Sequence, residues 1–477
     1  MRVVEELEDK FEVDPDWVMP QVMALIPNDG SVEQEVHRLV NTYYDTPGAG
    51  LRLFGVTLRR RIGGSDTGWQ LKVPNGTTRT EVRSGSRTKN LPPALARTVA
   101  GLLAGESLEP VATVTSTRTA YRILDADGEP VLEIADDLVQ SGTPDGESVL
   151  HSWREVEAEL GPAGKNKDVK RARRLLLGAG ASPSPVRTKL DRALGPMSSN
   201  GQVPAVTPGT VGELVGAYLA EQCDVIASND VGLRTGAPVV HKTRVAVRRL
   251  RSTLRVFGDA IESAPAEELD NELTWYASVL GEVRDREVLS KLLVQRIAEL
   301  PAEHIRGPVE AEITKSLAME RDNATQRLSE AMDNRRYQHL MRLLRAWKTA
   351  PPLTGAALGK SKTAAKYVEA AKQKVDKRLR KAGHDVEELH RARKGAKRLR
   401  YAAELMEPAD KRMKRIARDA ENLQTVLGEH QDAVVAAHFL SKISAINGQN
   451  GQSGFTYGVL VANELNRAAA IRESLKN

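Results

Sequence analysis

The hydrophobic pattern of the chain changes its period once, near residue 200. Before that point, short segments bounded by Gly, Pro, Asp or Ser alternate in polarity, which is typical of strands buried on one face. After it, apolar residues recur at helical spacing, and Leu, Ala, Arg, Lys and Glu are abundant. The stretch GPMSSNGQVPAVTPG between the two parts is rich in Pro, Gly and Ser, as linkers are. We therefore predict an α+β multidomain protein with a mainly β domain over residues 1–195, a linker over 196–206 and an all-α domain over 207–477.

The helical half is itself interrupted, by TAPPLTGAALGKSK at residues 349–362. Each of the two resulting pieces carries one basic segment: HKTRVAVRRLRSTLRVF begins at His241, and HRARKGAKRLR begins at His390. In both segments, cations follow the histidine three, seven and ten positions later. A motif repeated in this way predicts an internal duplication, with repeats over about 207–348 and 362–477.

Seven segments of the β half are predicted as strands, beginning with VEELEDKFEV and ending with SWREVEAEL. Several of them alternate charged with apolar residues, so that the charges share one face of the strand. Two other segments, near residues 31–41 and 166–178, have helical spacing and are predicted as helices that interrupt the strands.

The charged strand face is the unusual feature of this half. It carries Glu6, Glu8 and Lys10 on the first strand, Arg59 and Arg61 on a middle strand, and Glu155, Glu157 and Glu159 on the last strand. For one strand alone, the simplest interpretation is a face in contact with water. Several strands with the same pattern instead predict an antiparallel barrel of about eight strands whose wet interior holds a charged ligand, because buried charges without partners are costly.

The residue types on this face indicate the ligand. Carboxylates are the hard oxygen ligands that Mg²⁺ or Mn²⁺ prefers, and Lys and Arg match the oxygens of a phosphate chain. The candidate catalytic and metal-binding residues are Glu6, Glu8, Asp137, Glu155 and Glu157. The candidate substrate-binding residues are Lys10, Arg59, Arg61, Lys72, Arg118 and Lys189. Asp137 is preferred to its neighbour Asp136 because it shares strand parity with Glu133, and Glu159 is either a third ligand or a rim residue.

These residues stand in motifs that resemble those of the CYTH, or triphosphate tunnel metalloenzyme, superfamily of inorganic triphosphatases, thiamine triphosphatases and class IV adenylyl cyclases. The ExExK signature is present at residues 6–10. The supporting matches are YYDT (43–46), LRRR (58–61), WQLKVP (69–74), RTE (79–81), TRTAYRI (117–123), LEIADD (132–137), REVEAEL (154–160) and TKL (188–190). The resemblance implies a tunnel in which Glu6, Glu8, Glu155 and Glu157 hold divalent metal ions. It also implies that the candidate cations line the path of a triphosphate.

At 100° per residue, the basic segments of the helical half form stripes of one charge sign. The candidate polyphosphate-binding residues are His241, Arg244, Arg248, Arg251 and Arg255 in the first stripe, and His390, Arg393, Lys397 and Arg400 in the second. A helix face exposed to water usually mixes signs, because opposite charges at positions i and i+4 stabilise it. A stripe of one sign repels itself, which favours anion binding.

The helical half resembles the CHAD domain over about residues 207–477. Besides the basic segments, LGEVRDREVL (280–289) and LQTVLGEHQDAVV (423–435) recur in the same order. The resemblance implies two four-helix bundles related by a pseudo-twofold axis, with the two stripes lining a groove for inorganic polyphosphate. Asp285 and Asp432 are then expected to orient arginines, whereas the two histidines would donate to phosphate or brace a helix contact.

Composition disfavours other classes of function. Aromatic residues make up 4% of the chain, which leaves few stacking platforms for bases, so nucleic acid is not an expected partner. No apolar run approaches the roughly 20 residues that a membrane span needs, and carboxylates replace the apolar region of a signal peptide, so we expect a cytoplasmic protein. The single cysteine, Cys223, cannot form an internal disulfide and is expected in the core.

The favoured function is divalent-metal-dependent hydrolysis of inorganic triphosphate, or of the end of longer polyphosphate, with the helical half as a polyphosphate-binding module. Two alternatives stay open. One is an enzyme of the thiamine triphosphatase type, which uses the same tunnel chemistry. The other is a non-catalytic polyphosphate-binding or targeting protein. A class IV cyclase is less favoured, because no segment indicates an adenine site.

Overall fold

The computed structural model describes residues 1–197, 209–382, 385–447 and 454–474. Of the predicted linker, residues 198–206 lie outside the described residues. Contacts between Cα atoms divide the chain into two compact units. The sheet unit comprises Met1–Gly201 with Asp230–Thr235, and the helical unit comprises Gln202–Asn229 with Gly236–Asn477.

The sheet unit is built from one antiparallel sheet and three helices within the described residues. The strands are β1 (Arg2–Glu6), β2 (Glu8–Val13), β3 (Ser31–Asp45), β4 (Thr57–Ile62), β5 (Gly68–Asn75), β6 (Thr78–Ser84), β7 (Glu109–Leu124), β8 (Pro130–Gly142), β9 (Val149–Leu160) and β10 (Ser182–Pro183). The helices are α1 (Pro93–Leu103), α2 (Asn166–Gly178) and α3 (Lys189–Leu194). The strand order is β1-β6-β5-β4-β3-β7-β8-β9-β2-β10.

The two ends of this strand order lie next to each other along the chain. β1 pairs with β6 and β2 pairs with β9, and only Leu7 separates β1 from β2. The carbonyl of Leu7 accepts a hydrogen bond from the N–H of Leu160 at 2.9 Å. The predicted antiparallel sheet is confirmed, although its hydrogen-bonded order is not a closed ring. It has ten strands rather than about eight, because Leu7 divides the first strand and β10 adds a two-residue edge.

One prediction is wrong: residues 31–41 are not helical. They belong to β3, which pairs with β7 along all of its 15 residues and also with β4. The helical spacing of Val32, Val36 and Leu39 is a local signal, and pairing with two distant strands overrides it. Strand alternation instead places Leu39 and Tyr43 on the buried face and leaves Val36 exposed.

The other helical segment is confirmed, and one helix was missed. The segment near 166–178 is α2. The sequence analysis did not predict α1, although it begins with Pro93 and buries Leu95, Val99 and Leu102 at helical spacing. Helix α1 has only 11 residues, so its helical spacing is a weak signal among many segments with strand alternation.

The apolar core of the sheet unit fixes which strand face is charged. Phe11, Ile134 and Val156 pack with Leu176 of α2 in one core cluster. Successive strand residues point to opposite faces, so the charged residues beside them in sequence point away from α2. The candidate charged residues of β2, β8 and β9 therefore share the other face of the sheet.

The helical unit contains nine helices in the part of the chain that the structure describes. They are α4 (Val211–Arg234), α5 (Val240–Val256), α6 (Ser263–Ala298), α7 (Val309–Met332), α8 (Arg335–Thr349), α9 (Ala365–Ala382), α10 (Val386–Met406), α11 (Met413–Asn447) and α12 (Gly454–Ser474). Cys223 on α4 is fully buried, as predicted for a core residue. Among the described helices, none is both long enough and apolar enough to cross a bilayer.

The order of these helices follows the predicted duplication. Four consecutive helices, α4–α7, precede α8, and four more, α9–α12, follow it. The basic segments lie on α5 and α10, the second helix of each set, and the two LGE motifs lie on α6 and α11, the third. In addition, α5 contacts α10 and α6 contacts α11. The predicted fold class, a β-sheet tunnel fold followed by a duplicated helical fold, is confirmed.

Candidate functional site

A cavity of about 700 Å³ lies within the sheet unit, and charged side chains form much of its wall. The candidate residues in this wall are Glu6, Lys10, Arg59, Arg61, Lys72, Arg118, Glu157 and Lys189. The other three candidates, Glu8, Asp137 and Glu155, are outside the wall as the structure describes it. The volume is that of a small-molecule site.

Three of the candidate carboxylates form one buried cluster. Asp137, Glu155 and Glu157 each offer an oxygen, and these oxygens lie within 4.8 Å of one another. Pairing of β8 with β9 places Asp137 opposite Glu155, and Glu157 follows two residues later on the same strand face. We call this cluster the carboxylate triad. It offers ligand atoms for a divalent ion.

Lys189 is bonded to every member of the carboxylate triad. Its Nζ lies 2.9 Å from Asp137, 2.5 Å from Glu155 and 2.8 Å from Glu157. Lys189 is the first residue of α3, and the cap residue Thr188 accepts a hydrogen bond from the backbone N–H of Asp191. Burial alone would lower the pKa of Lys189, but the three carboxylates raise it. The ammonium group of Lys189 therefore stays charged. It occupies the place among the three carboxylates where a metal ion would otherwise bind.

Two more cations complete the neutralisation of the triad. Arg118 donates to both oxygens of Asp137, at 2.9 and 2.7 Å, and to Glu157 at 2.8 Å. Lys10 donates to Glu157 at 2.6 Å. Burial opposes ionisation of Asp137, but Arg118 and Lys189 hold its pKa at about 2. Three carboxylates thus face three cations, and the triad carries no excess negative charge.

Glu6 belongs to a second cluster, formed by β1, β5 and β6. Lys72 donates to Glu6 at 2.6 Å and Arg83 donates to it at 3.1 Å. Burial opposes ionisation of Glu6, but the charge of Lys72 outweighs it, so the pKa of Glu6 falls to about 2. Arg83 also forms an ion pair with the fully buried Glu81. Burial raises the pKa of Glu81, and one of its oxygens has no hydrogen-bond partner.

The sequence analysis missed Glu81 and Arg83 as members of this cluster. The signal was available, because Arg79, Glu81 and Arg83 alternate along β6 just as the candidate residues alternate along their own strands. The register also places Glu81 directly opposite Lys72. The RTE motif covered two of these residues but did not indicate that they face the cavity side.

Glu8 lies at the junction of these clusters. It accepts a hydrogen bond from Arg79 at 3.1 Å and lies 3.7 Å from Lys10. Burial opposes its ionisation, but the charges of Lys10 and Lys72 keep the pKa of Glu8 below its usual value. Glu8 is therefore an ionised carboxylate in a cationic surrounding.

Glu159 is the exception among these carboxylates. The register places it opposite Glu8 on β2 and opposite Glu133 on β8. Within the described part of the chain it makes no ion pair. Burial, together with the charges of Glu6, Glu8 and Glu133, raises the pKa of Glu159 to about 7, although Lys72 opposes this. Repulsion from these carboxylates is relieved when a divalent ion binds among them, so Glu159 is a candidate ligand.

Two arginines stand side by side on β4. Arg59 donates to Tyr43 at 3.1 Å and to Gln70 at 2.7 Å. Arg61 donates to Asn41 at 2.8 Å and to Asp66 at 2.5 Å. Burial and the charge of Arg59 lower the pKa of Arg61 to about 10. An anion beside this pair would relieve their mutual repulsion.

In the helical unit, the first arginines of the two stripes have equivalent partners. Arg244 on α5 donates to Asp285 on α6 at 2.6 Å. In the second repeat, Arg393 on α10 lies 4.0 Å from Asp432 on α11. Both aspartates stand where the sequence analysis expected them, beside an arginine.

The two stripes meet at Arg248 and Lys397, since α5 contacts α10. Neither cation has a carboxylate partner within the described residues. Burial and the charge of Arg244 lower the pKa of Arg248, although the neighbouring Tyr401 opposes this. Burial, and then the charges of Arg393, Arg248 and Arg244, lower the pKa of Lys397 to about 7. The charge of Asp432 opposes this shift of Lys397 but does not outweigh the cations.

The outer cations of the stripes are paired with carboxylates. Arg251 and Arg255 both bond Asp270, at 2.9 and 2.6 Å. Arg400 lies 2.8 Å from Glu404 and 2.8 Å from Glu421. At the centre of each stripe one cation, Arg248 or Lys397, thus makes no ion pair among the described residues, and the arginines on either side of it are paired.

The two histidines differ in their surroundings. His241 is exposed, and burial of part of its ring together with Arg284 lowers its pKa. His390 is half-buried, and its Nδ1 lies 3.1 Å from Oε1 of Gln431. Burial and the charge of Lys394 lower the pKa of His390. Among the described residues, neither histidine belongs to a group with metal-ligand spacing.

Comparison with known proteins finds both predicted families. The CYTH domain model matches residues 5–177, and the CHAD domain model matches residues 217–441. Two uncharacterized proteins of Mycobacterium tuberculosis, from strains CDC 1551 and H37Rv, are each 30% identical to this chain over 498 residues. The matches cover 99% of this chain and 95% of each relative.

Two solved structures are also similar to part of the chain. PptA from Streptomyces chartreusis is 21% identical with a TM-score of 0.47, and the match covers 56% of this chain and 97% of PptA. The CHAD domain from the plant Ricinus communis is 28% identical with a TM-score of 0.45, and the match covers 56% of this chain and 92% of that domain.

Proposed function

Because the chain belongs to the family of proteins that join a CYTH domain to a CHAD domain, we propose that its sheet unit hydrolyses inorganic triphosphate, or the end of longer polyphosphate, with a divalent metal ion. We further propose that its helical unit binds polyphosphate. The observation that carries the first proposal is the cavity of about 700 Å³, whose wall combines all six candidate cations with buried carboxylates. Cations neutralise phosphate oxygens, and carboxylates hold the metal ion that phosphoryl transfer requires.

The roles of the cations follow from their partners. Arg59 donates to the neutral side chains of Tyr43 and Gln70, so its charge is available to phosphate oxygens, whereas Arg61 pairs with the carboxylate of Asp66. Lys10, Lys72, Arg118 and Lys189 are each bonded to carboxylates in the absence of ligand. These four cations would contact the phosphate chain only if they bound it together with their carboxylate partners or in place of them. Binding would therefore rearrange ion pairs within the cavity.

The proposed metal ligands divide into two groups. Glu159, whose pKa is raised by burial and by the nearby Glu6, Glu8 and Glu133, would hold Mg²⁺ or Mn²⁺ together with Glu6 and Glu8. Asp137, Glu155 and Glu157 would hold Lys189 and Arg118 in place. They would supply at most one ligand to the metal ion, from a carboxylate that also pairs with these cations. When bound, the ion neutralises phosphate oxygens and lowers the pKa of a coordinated water.

Substitution of single carboxylates distinguishes these metal-binding roles. Glu159→Gln keeps the size of the side chain but removes its charge, and it should weaken Mn²⁺ binding to the full chain by about tenfold or more. Glu155→Gln should weaken binding less, because Glu155 already pairs with Lys189 at 2.5 Å. Isothermal titration with Mn²⁺ alone measures both. If Glu155→Gln weakened Mn²⁺ binding more than Glu159→Gln, the metal ion would be assigned to the carboxylate triad instead.

Phosphate release from a panel of substrates tests the proposed reaction. The panel contains triphosphate, ATP, thiamine triphosphate and long polyphosphate, each with Mg²⁺ or Mn²⁺. We expect triphosphate to be hydrolysed fastest, and Glu8→Gln to slow it by about 100-fold or more. Asp9→Asn is the matched control, because Asp9 lies between Glu8 and Lys10 but pairs with Arg173 at 3.4 Å, and it should leave the rate unchanged.

The same panel separates the alternatives. Preference for thiamine triphosphate would identify an enzyme of the thiamine triphosphatase type. A second candidate function, polyphosphate binding without catalysis, is favoured by the unpaired cations Arg248 and Lys397. Tight binding of long polyphosphate with no phosphate release from any substrate would establish it.

A further inference from the structure

The two helical repeats differ in one respect: helix α8 packs on the first repeat. Arg336 of α8 donates to Glu272 of α6 at 2.7 Å, and His339 of α8 lies 3.0 Å from Glu268 of α6. The ring of Tyr337 lies 5.3 Å from that of Tyr276 on α6. The amino-terminal half of α6 is therefore covered by a helix that combines an aromatic anchor with cationic contacts.

The shared LGE motif fixes which residues of α11 correspond to this covered part of α6. Leu280 aligns with Leu427, so residue n of α6 corresponds to residue n + 147 of α11. Among the residues of α6 that contact α8 are Glu268, Glu272 and Tyr276, and their counterparts are Arg415, Asp419 and Leu423. These counterparts identify the surface of the second repeat that is equivalent to the α8 site.

That surface is an open groove of about 540 Å³ between α9 and α11, and it lies wholly in the helical unit. Arg415, Asp419 and Leu423 all line it, with Leu399 of α10 at its floor. No helix of the described residues fills it.

The burial of equivalent residues follows this difference. Leu269 and Tyr276 are fully buried in the first repeat. Their counterparts Ile416 and Leu423 are only half-buried. This helix surface, which combines apolar and charged side chains, thus has a helical cover in the first repeat and none among the described residues in the second.

We propose that this groove docks an amphipathic helix of a partner protein, in the position that α8 takes in the first repeat. The charges specify the partner. Asp419 keeps the sign of Glu272, so the docked helix carries a cation there, as α8 does with Arg336. Arg415 reverses the sign of Glu268, so the docked helix carries a carboxylate where α8 has His339.

The sizes of the apolar residues in the groove indicate which side chain the docked helix needs as its anchor. Leu423 is smaller than its counterpart Tyr276, and Ala420 is smaller than its counterpart Leu273. A docked helix therefore needs a large aromatic or aliphatic side chain to fill the space above them, as Tyr337 of α8 packs against Tyr276. The helix α8 of a second copy fits poorly, because it is already packed on its own α6 and carries His339 opposite Arg415.

Two fluorescent peptides test the proposal on the full chain. One has the sequence of residues 335–349, and the other has the same sequence with His339→Glu; both are acetylated and amidated. The carboxylate peptide should bind about threefold to tenfold more tightly, since it gains an ion pair with Arg415. Arg415→Glu should reverse this order.

Matched variants link binding to the groove. Leu423→Asp should abolish binding of both peptides, while unchanged helicity by circular dichroism shows that the chain is folded. Lys414→Glu is the control for charge reversal, because Lys414 is exposed on α11 and does not line the groove. Absence of binding at 1 mM peptide, or binding that Leu423→Asp leaves intact, would overturn the proposal. A dimer of the full chain that Leu423→Asp dissociates would also overturn it, since a second copy would then occupy the groove.

Discussion

The cavity of the sheet unit and the stripe contact of the helical unit both gather cations, but they neutralise them differently. In the cavity, Lys189 lies within 2.9 Å of three buried carboxylates. At the stripe contact, Lys397 has three arginines as its main electrostatic neighbours. The first arrangement is complete without a ligand, so each charge depends on its partners. In the second, like charges adjoin one another, so these cations cost free energy in the free protein.

The largest expected effect is on stability. Lys189→Met strands three buried carboxylates and should lower the free energy of unfolding of the sheet unit by about 3–5 kcal/mol, as when one partner of a buried ion pair is removed. Lys397→Met removes a charge that has no carboxylate partner and should change stability by less than about 1 kcal/mol or increase it. Denaturant unfolding monitored by tryptophan fluorescence and helicity measures both. Equal losses would remove the distinction between the two sites.

The next effect is on polyphosphate affinity of the full chain. Arg248→Glu with Lys397→Glu reverses the two unpaired cations and should weaken binding by about 100-fold or more, because hydrogen bonds to charged groups contribute about 1.5–3 kcal/mol each. Arg251→Glu with Arg255→Glu reverses cations that already pair with Asp270, and should cost about tenfold or less. Binding is measured at several salt concentrations, since each lost phosphate contact should reduce the slope of log affinity against log salt by about one. If the two pairs behave alike, the whole stripe acts as one surface.

The smallest expected effect is a pH dependence. The pKa of Lys397 is about 7 in the free protein, so the residue is charged below pH 7 and loses its proton as the pH rises above it. A bound polyanion favours the charged form, and affinity should therefore fall by about tenfold between pH 6 and pH 8. Lys397→Arg should remove most of this dependence, because arginine stays charged throughout. A dependence that persists in the arginine variant would belong to the histidines or to the phosphate chain.

Much of the fold could be predicted from the sequence because its signals are local. Strand alternation correctly placed Glu6, Glu157 and Lys72 with the other charges on one face, since the direction of a side chain along a strand depends only on parity. The same kind of signal gave a wrong prediction at β3. In its sequence helical spacing is stronger than alternation, but pairing with two distant strands makes the segment a strand. It also missed Glu81, whose place in the site depends on its register with Lys72.

The sequence by itself determined which residues are charged, which strand face or helix stripe carries them, and that the helical motifs occur twice. Only the tertiary structure decided which of these charges are neutralised. Lys189 and Glu157 are 32 positions apart, and Lys10 and Glu157 are 147 apart, so their pairing depends on strand register and on the position of α3. Likewise, the cations of one stripe look alike in the sequence, yet Arg251 pairs with Asp270 while Arg248 makes no ion pair among the described residues. The reason is physical: parity is a property of the local backbone, whereas an ion pair requires two distant residues to meet within about 4 Å in a shared, partly dry environment.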